Sequence, residues 1–445
     1  MIESLIVWRA GSGMRPEGDN ERRSLNRREF LVGASALAVS VGIGADPGGA
    51  SGAVATDSDS VALPVVALGG QPAGLPVRQH AWSATLRVDD VGNRIAPRFD
   101  RLLFFDVKGS PTPDYARLLE ASLRTLERLY HWGPAGLLFT VGWAPAYFER
   151  VLHGNSPIPA ATGLSSFESP AIDDYHLCLH FASDDERKLA AVEAALLHGE
   201  RLDGAKGSLQ ITDALRWRET RTGFVGEGLA AAHQDVSGIP PGDPVSPQSP
   251  LFMGFKSGLR KNQATEDYVT ITDGPFAQGT TMQVSYMRLR LDGWYQDLSY
   301  GERVARMYSP ETTPEQVTHF TSDAESEPDL INQAIQRYGV IGHSQTSALA
   351  RRNGKPVIIR RDFNTVDGGH AGLHFVSVQR SIDDFVITRN AMNASGARLE
   401  NPAITATVNN GINEFISVLR RANYILPSRA NRSFPLLRGR ETALA

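Results

Sequence analysis

The sequence predicts an α+β protein made of two related β-α-β-β-α-β halves. Three observations carry that prediction. Short apolar runs bounded by turn residues alternate with stretches of helical periodicity. The pattern restarts after a proline-rich interruption. The chain has 445 residues, which exceeds the usual roughly 100–200 of one domain, and 41% of them are hydrophobic, enough for a sizeable core.

The elements follow in order. Leu102 to Val107 is a short apolar run of buried-strand type. Pro111-Thr112-Pro113-Asp114 opens a helix in which Tyr115, Leu118, Leu119, Ser122, Leu126 and Leu129 recur at helical spacing, and Gly133-Pro134 stops it. Gly136 to Trp143 reads as the second strand. Tyr175 to Ala182 reads as the third, with His176, Cys178 and His180 on one face and Leu177, Leu179 and Phe181 on the other. Ser183-Asp184-Asp185-Glu186 starts a helix that runs to about His198, with Ser183 as cap and acids in the first turn. Ser208 to Arg218 is the fourth strand. This order is the ferredoxin-like unit.

Residues 237–250 carry five prolines, which no sheet interior tolerates, and divide the halves. Beyond them, Thr281 to Leu291, Pro356 to Phe363 and Gly372 to Val378 read as strands. Tyr300 to Met307, Asp329 to Tyr338, Ile382 to Met392 and Gly411 to Arg421 read as helices. The expected organisation is an N-terminal segment (1–55), a Gly- and Pro-rich linker (56–76), a first ferredoxin-like half (77–236), the proline-rich linker (237–250) and a second, interrupted half (251–445). The expected architecture is a duplicated, dimeric α+β barrel with antiparallel sheets and peripheral helices.

Charge excludes some functions. Lys+Arg total 45 against 49 Asp+Glu, a net charge of −4, so no basic excess exists for nucleic-acid phosphates. The single cysteine, Cys178, forms no intramolecular disulfide and excludes Cys-rich zinc or iron–sulfur sites. The N-terminus carries an address. Arg27-Arg28 directly precedes the uncharged run Phe30 to Ile43, which is shorter than the about 20 residues of a spanning helix. Ala53-Val54-Ala55 then offers small-x-small cleavage. This is similar to a twin-arginine export signal, with an ordinary N-terminal anchor helix as the alternative. Met1 to Asn20 reads as an extension or a misassigned start. Twin-arginine substrates cross folded, often with a cofactor inserted. The expected product is therefore an extracytoplasmic protein with the twin-arginine translocase as partner and no membrane span in its mature form.

Candidate chemistry is sparse. His176/His180 and His370/His374 have i,i+4 spacing but overlap strand-like runs, where such residues stand about 13 Å apart and share no metal. Neither a Gly-x-Ser-x-Gly elbow nor a phosphate loop is visible. Gly342 to Asn364 is the informative region. His343 ends a helical stretch, Arg351-Arg352-Asn353-Gly354 forms a turn, and Ile358-Ile359-Arg360-Arg361-Asp362-Phe363-Asn364 follows. His343 and Arg360 can thus face one cavity, as haem chemistry requires: a neutral imidazole for iron and a fixed guanidinium for peroxide. A surface histidine and a basic strand end are the competing reading.

These residues belong to an ordered series that resembles the dye-decolorising (DyP-type) haem peroxidases. Arg78-Gln79-His80-Ala81-Trp82 is similar to that family's opening segment, and Leu103-Phe104-Phe105-Asp106-Val107 to its first strand. Thr140 to Pro145 with Phe148, then Leu177 to Asp185, follow in the family's order. So do Gly254-Phe255-Lys256-Ser257-Gly258, His343, Ile359-Arg360-Arg361, Gly372-Leu373-His374-Phe375 and Glu414 to Pro427. The resemblance implies haem b with His343 as axial iron ligand, Arg360 as the distal arginine, and Glu414 as the carboxylate accepting a hydrogen bond from the imidazole. Arg361 and Arg288 are the basic candidates for the haem propionates. Hydrogen peroxide and an organic electron donor would be the substrates. The departure is Ser257, which stands where the family has aspartate. A serine hydroxyl donates a hydrogen bond but is a poor general base. Glu266 and Asp267 are nearby candidates for that role. Three readings stay open: a peroxidase, a haem carrier or sensor without turnover, and a haem-free extracytoplasmic binding module.

The address yields a first test. Arg27→Lys with Arg28→Lys is expected to strand the precursor in the cytoplasm, as read by fractionation and immunoblotting, because the pair is recognised by a receptor and not as bulk charge. Normal export of the double variant would assign a different signal.

Overall fold

The structure is a computed structural model that describes residues 74–90, 92–256, 262–317 and 328–437. The segment expected to act as an export signal, most of the linker after it and Ser257 lie outside the described residues. Among the described residues no helix is long and apolar enough to cross a membrane.

The first half contains β1 (Phe99–Val107), α1 (Pro113–Leu129), β2 (Leu138–Trp143), β3 (Ala171–Ile172), β4 (Leu177–Ser183), α2 (Glu186–His198) and β5 (Leu215–Phe224). A one-turn α3 (Leu229–Ala232) follows. The second half contains β6 (Thr280–Leu289), α4 (Leu291–Gln296), α5 (Tyr300–Met307), α6 (Pro328–Tyr338) and α7 (His343–Ala348). Then come the hairpin β7 (Arg351–Arg352) and β8 (Lys355–Pro356), β9 (Ile358–Arg360), β10 (Phe363–Thr365), β11 (Gly372–Gln379), α8 (Ile382–Met392), α9 (Ser395–Glu400) and β12 (Ile416–Leu426).

The strand order is β5-β1-β4-β2 in the first half and β12-β6-β11-β9 in the second, with β10 continuing along β11 beside β9. Counted within each half, with the two-residue strands β3, β7 and β8 left out and β9 and β10 taken together as the second strand, both orders read fourth, first, third, second. That shared order is the mark of a duplicated unit. Two short seams close the sheets into one barrel: Trp143 pairs with Ile425, and Phe224 with Asn364. The antiparallel barrel with peripheral helices agrees with the sequence expectation.

Period-two alternation decides what each face buries. Leu102, Phe104, Cys178, Met282, Val284, Val376 and Tyr424 pack together inside the barrel. Leu103, Phe105, Val141, Leu179 and Phe181 turn outward onto Leu119, Leu123 and Leu126 of α1 and Leu189, Val192 and Leu196 of α2. Thr112 caps α1 by accepting from the Tyr115 N–H (3.4 Å), with Pro113 in the first turn. The cap of α2 is Asp185, which accepts from the Arg187 N–H at 3.1 Å. Ser183, the expected cap, instead donates to the Gly136 carbonyl at 2.8 Å.

Three expectations need correction. The fourth strand covers 215–224, not 208–218. Its outer residues Arg216, Trp217 and Arg218 are exposed, so it lacks the apolar signature that drew the reading upstream to buried Leu209 and Ile211. The helix expected over Gly411 to Arg421 is a short 3-10 turn, Asn413–Phe415, followed by β12. Ile412, Phe415 and Ile416 mimic helical spacing, but pairing with β6 along ten positions overrides it. The strand expected over 356–363 is broken into β9 and β10, with Arg361 and Asp362 between them.

The segment after β12 is locked onto α1. Arg432 and Arg429, both fully buried, pair with Glu120 and Glu127 of α1; Arg432 Nη2 lies 3.1 Å from Glu120 Oε1 and 3.0 Å from Glu127 Oε2. Burial pushes the Glu127 carboxyl up, but Arg432 and Arg429 outweigh it and hold it below the usual 4.5. Its stabilisation is therefore complete above that value and is lost as pH falls through the depressed native pKa. Glu127→Gln, which leaves buried guanidinium groups under-compensated, is expected to cost about 3–5 kcal/mol at neutral pH in urea unfolding. The deficit should shrink as pH drops below 4.5, the ordinary value for this carboxyl. An equal deficit at both pH values would deny the ion pairs that role.

Candidate functional site

A cavity lies between the outer face of the second-half sheet and helices α5, α7 and α8. Its body is apolar: Met287, Leu289, Leu373, Phe375 and Ile416 from the sheet, Met307 and Phe385 from the helices, and Phe255 from the loop before β6. Its volume is about 110 Å³. His343, Arg360, Asp362, Arg389 and Arg421 supply charged or ionisable groups to the same lining.

His343 is the first residue of α7. The Gln345 side chain holds that end, accepting from the Gly342 N–H at 2.9 Å and donating to the Ser309 hydroxyl at 3.2 Å. The loop before β12 packs against the His343 backbone through Gly411 (φ +52°), where a Cβ would stand 2.9 Å from the His343 Cα, so only glycine fits. Burial pushes the imidazole down to about 3, and the Arg360 and Arg389 charges add to the effect. The ring is therefore neutral at neutral pH.

Arg360 ends β9, and its N–H donates to the Gln263 side chain at 2.8 Å. Its Nε is buried without a hydrogen-bond partner, and burial holds its pKa below the ordinary arginine value. Alternation separates it from Arg361. Arg361 turns away from the cavity, stacks over Trp82 with its guanidinium carbon 3.8 Å from the ring centre, and donates to the His80 carbonyl at 2.6 Å. The propionate role expected of Arg361 does not suit that position. Arg288 is exposed on β6 and does not line the cavity.

Glu414 is not on the imidazole. Its Oε2 lies 3.4 Å from Arg306 Nη1, and the His343 ring has no hydrogen bond to any described residue. The 3-10 turn before β12 aims Glu414 outward, where a helix would have carried it differently. Ser257 lies outside the described residues.

A second, wider cavity of about 1010 Å³ adjoins the first. Leu251, Lys256, Arg360 and Asp362 line both. Glu266 and Asp267 line only the second: Glu266 accepts from the Trp82 and Ser83 N–H groups at 2.7 Å, and Asp267 pairs with Arg78. Neither carboxylate joins His343.

Sequence reasoning missed three members of the site. Asp362, two residues beyond Arg360, is the only carboxylate among the described residues lining the first cavity. The strand period could have placed it with Arg360. Arg389 on α8 and Arg421 on β12 carry no local sequence signal of burial, yet both are buried. Arg421 reaches the cavity because β12 bulges between Val418 and Arg420, and the extra residue changes which later side chains face out.

The donor set fits a haem. Among the described residues it comprises a neutral imidazole with no hydrogen-bond partner, buried guanidinium nitrogens without one, and an apolar body. The described residues show no cluster of three or more His, Cys, Asp or Glu for a bare metal ion.

Comparisons place the fold. A putative DyP-type peroxidase from Shewanella oneidensis superposes with a TM-score of 0.52 at 16% identity, covering 75% of this chain and 94% of the other. A Rhodococcus jostii DypB variant in complex with haem gives 0.52 at 13% identity, covering 80% and 98%. A DyP-type peroxidase from Cellulomonas bogoriensis gives 0.51 at 19%, covering 78% and 96%. At these identities the likeness is one of fold. No curated protein matches the sequence. A family model described as "Family of unknown function (DUF7405)" matches residues 97–428, most of the chain, and the protein belongs to that family.

Proposed function

We propose that the protein is an exported haem b peroxidase, which reduces hydrogen peroxide and oxidises an organic donor one electron at a time. The observation that carries this reading is the convergence of His343 and Arg360 on one apolar cavity. Haem bound there would supply the iron redox chemistry. The residues would do the rest. His343 would hold the haem iron through its neutral ring nitrogen. Arg360, cationic and short of hydrogen-bond partners, holds peroxide and stabilises negative charge as it develops on oxygen. Asp362 takes the proton from one peroxide oxygen and returns it to the other, the task an aspartate at position 257 would perform. The apolar wall excludes water from the pocket. The second cavity, which meets the first at Arg360 and Asp362, is the approach for peroxide.

Haem binding is tested by difference absorption of the purified full chain titrated with hemin. Wild type is expected to develop a Soret band, and His343→Ala to lose it or weaken affinity at least about tenfold, the order of loss seen when metal-site residues are changed. An unchanged spectrum in a folded His343→Ala variant would remove the ligand assignment.

Turnover is tested by stopped-flow mixing of the haem-loaded protein with hydrogen peroxide. Arg360→Leu is expected to slow the Soret shift about 10²–10³-fold. Asp362→Asn should slow it about 10²–10⁴-fold without altering haem affinity. Ser257→Asp, by adding a carboxylate, should raise the rate in the Asp362→Asn background. Haem held through His343 with no peroxide reaction in wild type would favour the carrier or sensor reading, which the serine at 257 also accommodates.

A further inference from the structure

Arg389 and Arg421 are among the most deeply buried charges in the protein, at 4% and 1% exposure. One carboxylate serves both: Glu168 Oε1 accepts from Arg389 Nε at 2.7 Å, and Glu168 Oε2 from Arg421 Nη1 at 3.0 Å. Arg421 also donates through Nη1 to the Thr162 carbonyl at 2.8 Å and through Nε to the Ser285 hydroxyl at 3.2 Å. That leaves three terminal nitrogens, Arg389 Nη1 and Nη2 and Arg421 Nη2, buried with no hydrogen-bond partner among the described residues. Both residues line the apolar cavity.

Two guanidinium groups against one carboxylate leave one uncompensated positive charge in a low-dielectric wall. Buried charges are retained when paired, and buried donors when bonded. The missing partner is thus an anion with acceptor oxygens that enters the cavity. The forked donors of Arg389 match a carboxylate. The rest of the cavity is apolar, so the carboxylate must be carried on an apolar body.

We propose that Arg389 and Arg421 form a carboxylate clamp that takes a propionate of the bound haem and so sets the orientation of the ring against His343. The clamp rests on the haem reading and extends it. It also assigns the propionate role to residues other than Arg361 and Arg288.

The test compares hemin with hemin dimethyl ester, in which both carboxylates are masked, by Soret titration of the full chain. Wild type is expected to bind hemin about 10–100-fold more tightly than the ester, the range for charge-assisted hydrogen bonds. Arg389→Met with Glu168→Gln, which keeps the local charge balance, should reduce that preference to near unity. Its affinity for the ester should stay at the wild-type level, which also reports that the pocket is folded. Arg421→Lys, a milder change that keeps the charge but loses the fork, should reduce the preference in part. Equal wild-type affinity for the two probes would overturn the clamp while leaving haem binding intact. So would an unreduced preference in the double variant. A wild-type protein that binds neither probe would overturn the haem reading and the clamp together.

Discussion

The close approach of two strand edges at Gly223 and Asn364 is the constraint on which the site depends. A Cβ at Gly223 would stand 2.2 Å from the Asn364 carbonyl oxygen, so the seam between the halves admits only glycine there. Asn364 spends its side chain on the same junction, accepting from the Phe252 N–H at 3.0 Å and donating to the Pro250 carbonyl at 3.2 Å. Asn364 also lines the cavity. The seam thus fixes the loop that brings Phe255 and Lys256 over the sheet, and it fixes β10, whose break from β9 leaves Arg360 and Arg361 on opposite sides.

Duplication explains the scaffold, and asymmetry explains the cavity. In the first half the outer sheet face is filled by α1 and α2 with large apolar side chains. In the second half α5, α7 and α8 occupy the corresponding region, and the chain between β6 and β9 is far longer. Those helices stand off the sheet around Met287, Leu373 and Phe375 and leave the space that the first half fills. The site is the place where one copy of an old unit stopped packing against itself.

Legibility followed physical range. Helices with strong local signals were readable: Tyr300–Met307 and Ile382–Met392 appear in the structure with those bounds. Strand β12 was not, because its identity is set by pairing with a strand over a hundred residues earlier, which no local period encodes. The shared cavity of His343 and Arg360 could be read from type and spacing. The partner of Glu414 could not, since it depends on whether the preceding turn is helical. Arg389 and Arg421 were not singled out for a general reason: charge in a sequence signals exposure, and only tertiary packing reveals a buried arginine.

The salt-bridge lock between α1 and the segment after β12 also sets a schedule. Arg429 and Arg432 belong to the last described segment, whereas Glu120 and Glu127 stand some three hundred residues earlier. The first half also needs β12 beside β2 to finish its sheet edge. A nascent chain emerging from the ribosome can therefore form α1 and β1 early but cannot complete the barrel, or pair Glu127 with its arginines, until β12 and the segment bearing Arg429 and Arg432 have been made. Assembly of this fold waits on residues some three hundred positions downstream of α1, and any partner that must load the cavity meets the chain only after β12 has been made.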